Sequence, residues 1–127
     1  MSVRFFECDI CHNMIEMVNS SGVNIVCCNQ DMTELKPNSV DADLEKHVPH
    51  YEKGGSVFKV KVGETMHPKT EDHHIMWVVL ETNRGVYRKD IPVGDDPVVD
   101  FILLNGEEPL NVYAYCNIHG LWVREVK

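Results

Sequence analysis

Apolar and polar residues alternate along much of this chain with the period of two that suits a strand buried on one face. The clearest instance is Phe58, Val60 and Val62, separated by Lys59 and Lys61. Residues 75–80 are more continuously apolar and predict a central strand. Further strands are predicted over residues 86–91, 98–104, 112–115 and 121–126. They are parted by Asn83-Arg84-Gly85, Gly94-Asp95-Asp96-Pro97 and Asn105-Gly106, residues that favour turns. Nearer the N-terminus, residues 3–6, 14–18 and 23–26 are short β-type runs, the last two joined by Asn19-Ser20-Ser21-Gly22. There is no convincing helix, no internal repeat and no low-complexity stretch. Short strands spaced by turns predict an all-β protein built on an antiparallel sandwich.

The pattern breaks once. Residues 37–53 are polar and acidic and carry Pro37 and Pro49. They read as a linker and loop, with one helical turn beginning at Asp41. The chain therefore divides into residues 1–36, too few for a core of their own and in need of a metal staple, and residues 37–127, enough for a sandwich.

Composition narrows the class. In 127 residues, 43% are hydrophobic and 25% charged, as in a soluble globular protein. No apolar run approaches the roughly 18 residues of a membrane span. Residues 1–18 lack the apolar stretch of a signal peptide, which predicts a cytoplasmic protein. A formal charge of −8 argues against nucleic acid and anionic membranes as partners. Five cysteines, an odd number, in a reducing compartment point to metal ligation or redox chemistry rather than disulfides.

Cys8-x-x-Cys11 and the adjacent Cys27-Cys28 offer thiolates for one tetrahedral shell. Neighbouring side chains on extended backbone point to opposite faces, so Cys27 and Cys28 can share an ion only through a local kink. Thiolates accept zinc or iron, and ligand identity leaves both open. The histidines fall at predicted strand ends and loops: His47 in Glu45-Lys46-His47-Val48-Pro49, His67 before Pro68, His73 and His74 before a strand. Cys116-Asn117-Ile118-His119-Gly120 lies between the last two strands. A Cys-x-x-His loop can place a thiolate and an imidazole on one ion. A blue-copper carrier would use such a pair with an axial methionine, but no methionine follows His119, and the surplus of histidines implies a fuller shell. His12 and His50 are assigned no role.

These motifs, in this order and over essentially the whole length, resemble desulfoferrodoxins, the two-iron class of superoxide reductases. The resemblance implies a desulforedoxin-like, rubredoxin-type iron domain over residues 1–36 and a catalytic immunoglobulin-like sandwich over residues 37–127. It implies one iron on Cys8, Cys11, Cys27 and Cys28. A second would lie in a plane of His47, His67, His73 and His119 with Cys116 axial. At that second iron superoxide would be reduced by one electron to hydrogen peroxide. Lys46 would help attract the anion, and Glu45 would bind the oxidised iron once peroxide has gone. The first iron or an external rubredoxin-type carrier would supply electrons, and the protein would be a homodimer. The alternative is a non-catalytic iron or copper electron carrier. Two departures from the family pattern stand out: His12 follows the second cysteine where glycine is common, and Lys69 follows His67-Pro68 where methionine is common.

Overall fold

A computed structural model of the chain describes residues 3–39, 47–63 and 67–127. Among the described residues there are strands, turns and bends but no helix, and so no helix long and apolar enough to cross a membrane. The chain forms two compact units, Met1–Lys36 and Pro37–Lys127.

In the first unit, β1 (Phe5–Glu7) pairs antiparallel with β2 (Met14–Glu16), then β3 (Val26–Cys27) and β4 (Gln30–Asp31) form a minimal hairpin. β5 (Thr33–Glu34) returns to the free side of β1. Phe5, Phe6 and Cys8 are buried, and Arg4 grips Glu34 with two nitrogens at 2.9 and 3.1 Å. The strand expected over residues 23–26 shrinks to Val26 and Cys27. Val23 and Val26 are both exposed, so their apolar side chains gain nothing from a sheet face.

In the second unit, β6 (Pro49–Gly54), β7 (Val57–Val62) and β10 (Val98–Ile102) form one sheet in the order β10-β7-β6. β8 (Ile75–Thr82), β9 (Val86–Asp90), β11 (Pro109–Cys116) and β12 (Gly120–Glu125) form the other, in the order β12-β11-β8-β9. Every strand pair is antiparallel. The core takes Phe58, Val60 and Val62 from β7 together with Ile75, Val78 and Leu80 from β8 and Val112, Ala114 and Cys116 from β11. Each large apolar side chain buried this way contributes roughly 1.5–3 kcal/mol. β8 is an inner strand, flanked by β11 and β9, as its continuous apolar run predicts.

Residues 37–53 are not simply a linker. Pro49–Gly54 is a strand, paired with β7 in the register Pro49↔Val62, Tyr51↔Val60. It escapes the alternation rule because only Pro49 and Tyr51 face inward, Tyr51 stacking on Phe58 at 5.2 Å. It is an edge strand, where a proline at the first position removes no ladder bond. Asn38 is also held: its N–H donates to the Leu121 carbonyl at 2.9 Å, and its carbonyl accepts from Val123 at 2.8 Å. The helical turn expected at Asp41 lies outside the described residues, as do Glu45 and Lys46.

Candidate metal centres

Cys8 follows β1, and the turn after it brings Cys11 back so that its N–H points at Cys8 Sγ, 3.5 Å away. The β3–β4 hairpin delivers Cys27, whose sulfur lies 3.6 Å from that of Cys11. The sulfurs of Cys8, Cys11, Cys27 and Cys28 all lie within 4.8 Å of one another, and none is in a disulfide. The kink required by adjacent cysteines is present: Cys28 and Asn29 have φ of 53° and 62°. His12 stands at φ 65°, a left-handed conformation that glycine adopts without strain, so the histidine holds a backbone suited to glycine. Backbone N–H groups of Cys11 and Ile10 hold the Cys8 thiol down at about 6. The neighbouring sulfurs of Cys11 and Cys8 push Cys27 up, and Cys28 up to about 12. Four sulfurs this close cannot all ionise unless a cation lies among them, and thiolates select a soft one.

The second cluster gathers at one end of the sandwich. His47 precedes β6, His67 follows β7, His73 precedes β8, and Cys116 and His119 bracket the turn between β11 and β12. Donor atoms of His47, His67, His73 and Cys116 all lie within 4.8 Å of one another. His119 joins through Nδ1, 3.1 Å from His47 Nε2 and 3.8 Å from Cys116 Sγ. The four imidazoles are arranged as a square. Successive ring centroids from His47 to His67, His73, His119 and back are 4.7, 4.6, 5.1 and 4.8 Å apart, and the His47–His73 diagonal is 6.2 Å. His67 Nδ1 lies 2.8 Å from the Pro68 carbonyl, which only accepts, so that nitrogen carries the proton and Nε2 keeps its lone pair. The Nε2 atoms of His67 and His73 are both buried. Cys116, His47 and His67 are buried, His73 is half-buried and His119 exposed, so the cluster opens on one side.

A β-bulge selects His73 over its neighbour. Tyr115 pairs with Trp77 but Cys116 pairs with Ile75, leaving Met76 as an extra residue. Counting in twos from Leu80 and Val78 would turn Met76 and His74 inward. Instead Met76 is exposed, Ile75 joins the core, and His73 enters the cluster. The His74 ring donates through Nδ1 to the Thr70 carbonyl at 3.0 Å.

Sequence reasoning missed Trp122, whose indole stacks on the His47 ring at 4.6 Å and 12°. It stands opposite Ala114 in β12, within the continuous apolar run Leu121-Trp122-Val123, and nothing in that run signals contact with a histidine 75 residues away.

Comparison with known proteins agrees with this arrangement. The family pattern described as desulfoferrodoxin matches residues 39–125, and that of the desulfoferrodoxin N-terminal domain matches residues 2–35. The chain belongs to the desulfoferrodoxin family. A desulfoferrodoxin homolog from Methanothermobacter thermautotrophicus is 43% identical over 119 residues, 94% of this chain and 95% of that one. The desulfoferrodoxin of Syntrophotalea carbinolica is 42% identical, covering 97% and 96%. The crystal structure of the superoxide reductase from Treponema pallidum superposes with a TM-score of 0.85 at 33% identity, covering 98% of each chain. The likeness to these desulfoferrodoxins thus spans both units and both cysteine and histidine clusters.

Proposed function

We propose that this chain is a superoxide reductase carrying two irons, one on Cys8, Cys11, Cys27 and Cys28 and one on His47, His67, His73, His119 and Cys116. The observation that carries this reading is the square of four imidazoles beside a buried sulfur. Nitrogen and thiolate donors suit iron, and an ion held by these five would be able to take a small anion as well. Ferrous iron, if bound there, would supply the electron and, with four neutral imidazoles and one thiolate, about one unit of net positive charge.

The chain's own residues do the rest. Superoxide gains one electron and two protons to become hydrogen peroxide, and the protons come from water on the open side marked by exposed His119. Burial of Cys116 keeps its thiolate from solvent and oxidants. The Pro68 carbonyl fixes the His67 tautomer, and Trp122 holds the His47 ring plane. Lys46, next to His47 in the sequence, would add positive charge in a chain of net charge −8, and Glu45 would be the carboxylate available to the oxidised iron. Each turnover consumes an electron, which a rubredoxin-type carrier would supply, and Cys8, Cys11, Cys27 and Cys28 would hold an iron able to relay it.

Among the described residues of the second unit, seven strands in sheets of three and four support an immunoglobulin-like sandwich. A homodimer is supported by the first unit, which is small and exposes Ile10, Val18, Val23 and Val26. Thiolate ligands persist in a reducing compartment, which supports the cytoplasm.

The test is metal analysis followed by reaction of the ferrous protein with superoxide. Two irons per chain and peroxide formed without release of oxygen are expected. Azide should perturb the spectrum of the histidine-bound iron and leave the other unchanged. Zinc or copper in place of iron, or an iron to which no exogenous anion binds, would favour a structural protein or an electron carrier.

A further inference from the structure

Asn117 lies immediately after Cys116 and makes three hydrogen bonds to the residues on either side of His73. Its Oδ1 accepts from the His74 N–H at 2.9 Å, its Nδ2 donates to the Asp72 carbonyl at 3.0 Å, and its backbone N–H donates to the His74 carbonyl at 3.2 Å. Both ends of the amide are fixed by these partners, because a backbone N–H only donates and a carbonyl only accepts. On the far side of the loop, Thr70 closes a tight turn on His73. The His73 N–H points at Thr70 Oγ1, 3.2 Å away, and the Thr70 N–H donates to the His73 carbonyl at 3.0 Å. The backbone around His73 is therefore gripped on one side by its own turn and on the other by Asn117. Asn117 is itself covalently joined to the residue that brings the sulfur into the cluster.

The side chain is exposed, and no core packing explains it. Its chemistry is specific to the task. Aspartate would keep the acceptor for the His74 N–H but would set a carboxylate oxygen against the Asp72 carbonyl. Leucine would remove both bonds, and glutamine would be one methylene too long for the same span.

We infer that Asn117 is a positioning residue that fixes where His73 stands relative to Cys116, and so sets the shape of the second iron centre. This rests on the proposed assignment of His73 and Cys116 to that iron. Residues that orient metal ligands from behind typically change metal affinity by about 10–100-fold when removed. Asn117 acts on the backbone beside the ligand rather than on the ring, so the low end of that range applies.

The experiment compares iron-loaded full-length wild type with Asn117→Leu and Asn117→Asp. Two readouts are followed: release of each iron to a chelator, and the thiolate-to-iron absorption band with the ferric paramagnetic resonance spectrum. Asn117→Leu should release the histidine-bound iron about 10-fold faster and shift its spectrum. Asn117→Asp, which retains one side-chain bond, should fall between. Bands of the four-cysteine iron should not move, which separates repositioning of a ligand from general loosening of the fold. Wild-type band positions and release rates in both variants would overturn the inference while leaving the proposed reductase intact. A wild type that holds only one iron would instead overturn the functional reading on which it rests.

Discussion

His12 holds a left-handed backbone at φ 65° in the turn after Cys11, a conformation that costs a residue with a Cβ roughly 1–2 kcal/mol. Glycine there would relieve the strain but regain about 0.4–1 kcal/mol of unfolded-chain freedom. His12→Gly should therefore raise the stability of the iron-loaded chain by about 0.5 kcal/mol in urea titrations. A loss would mean that the contact between His12 Nδ1 and Glu7, at 3.2 Å, outweighs the strain. Glu107 presents the opposite case, a charge made comfortable. Its Oε2 accepts from Thr82 Oγ1 and Tyr87 OH, both at 2.6 Å, and its Oε1 from the Leu104 N–H at 3.0 Å. These bonds, that of Thr82 first, hold its carboxyl below the usual range. The bound form is the carboxylate, so the stabilisation is present above the unfolded value of about 4.3 and is lost as pH falls through the lower folded value. Urea midpoints measured from about pH 6 downward should fall in this window, and Glu107→Gln should both lower the plateau and flatten the slope. An unchanged slope would assign the acid sensitivity to other carboxylates.

Strands differ in how openly their sequences declare them. β7 is legible because Phe58, Val60 and Val62 all face one core while Lys59 reaches solvent. β6 is not, because an edge strand whose inward positions are only Pro49 and Tyr51 carries too short a signal to separate it from a polar loop. β3 shows the converse error, since apolar residues there are exposed and the hairpin is dictated by the cysteines it delivers. The energetic weight is likewise uneven. Phe58 has no exposed surface and stacks on Tyr51, so Phe58→Ala should cost about 3–5 kcal/mol and couple the loss of β6 to that of the core. Chemical denaturation gives the magnitude, and amide exchange over residues 49–54 reports the coupling. Protection there unchanged by the substitution would mean that β6 is held by its ladder alone.

Across the whole molecule, the two clusters belong to separate compact units. Cys28→Ser should therefore remove or alter the first iron's spectrum while the ferrous second site still reduces superoxide rapidly in single turnover. Loss of that fast phase with the second iron still in place would show that the chemistry has been assigned to the wrong centre. The net charge of −8 poses a second problem at this scale, since it repels an anionic substrate. Lys46→Ala should slow the second-order reaction with superoxide about 10-fold and flatten its dependence on ionic strength. Pulse radiolysis at several salt concentrations measures both, and an unchanged rate and slope would reduce Lys46 to an ordinary surface residue. The residues that gather at the two centres were legible because they lie in short motifs at or near strand ends, where the scaffold can aim them. The plane of four histidines was implied by the family resemblance rather than by any single motif, and the indole stacked on one of its rings was not foreseen, because that contact joins segments as far apart as His47 and Trp122.

The extra residue in β8 has a consequence for anyone moving this site to another protein. His73 and His74 are chemically identical, and parity along the strand decides which becomes the donor. Met76 shifts that parity by one. If the same motif were copied onto a regular strand with the same inward residues at Val78 and Leu80, His74 would be aimed at the metal and His73 at solvent. A transplant that preserved every ligand in sequence but omitted the irregularity would deliver the wrong histidine, and the error would be invisible in an alignment.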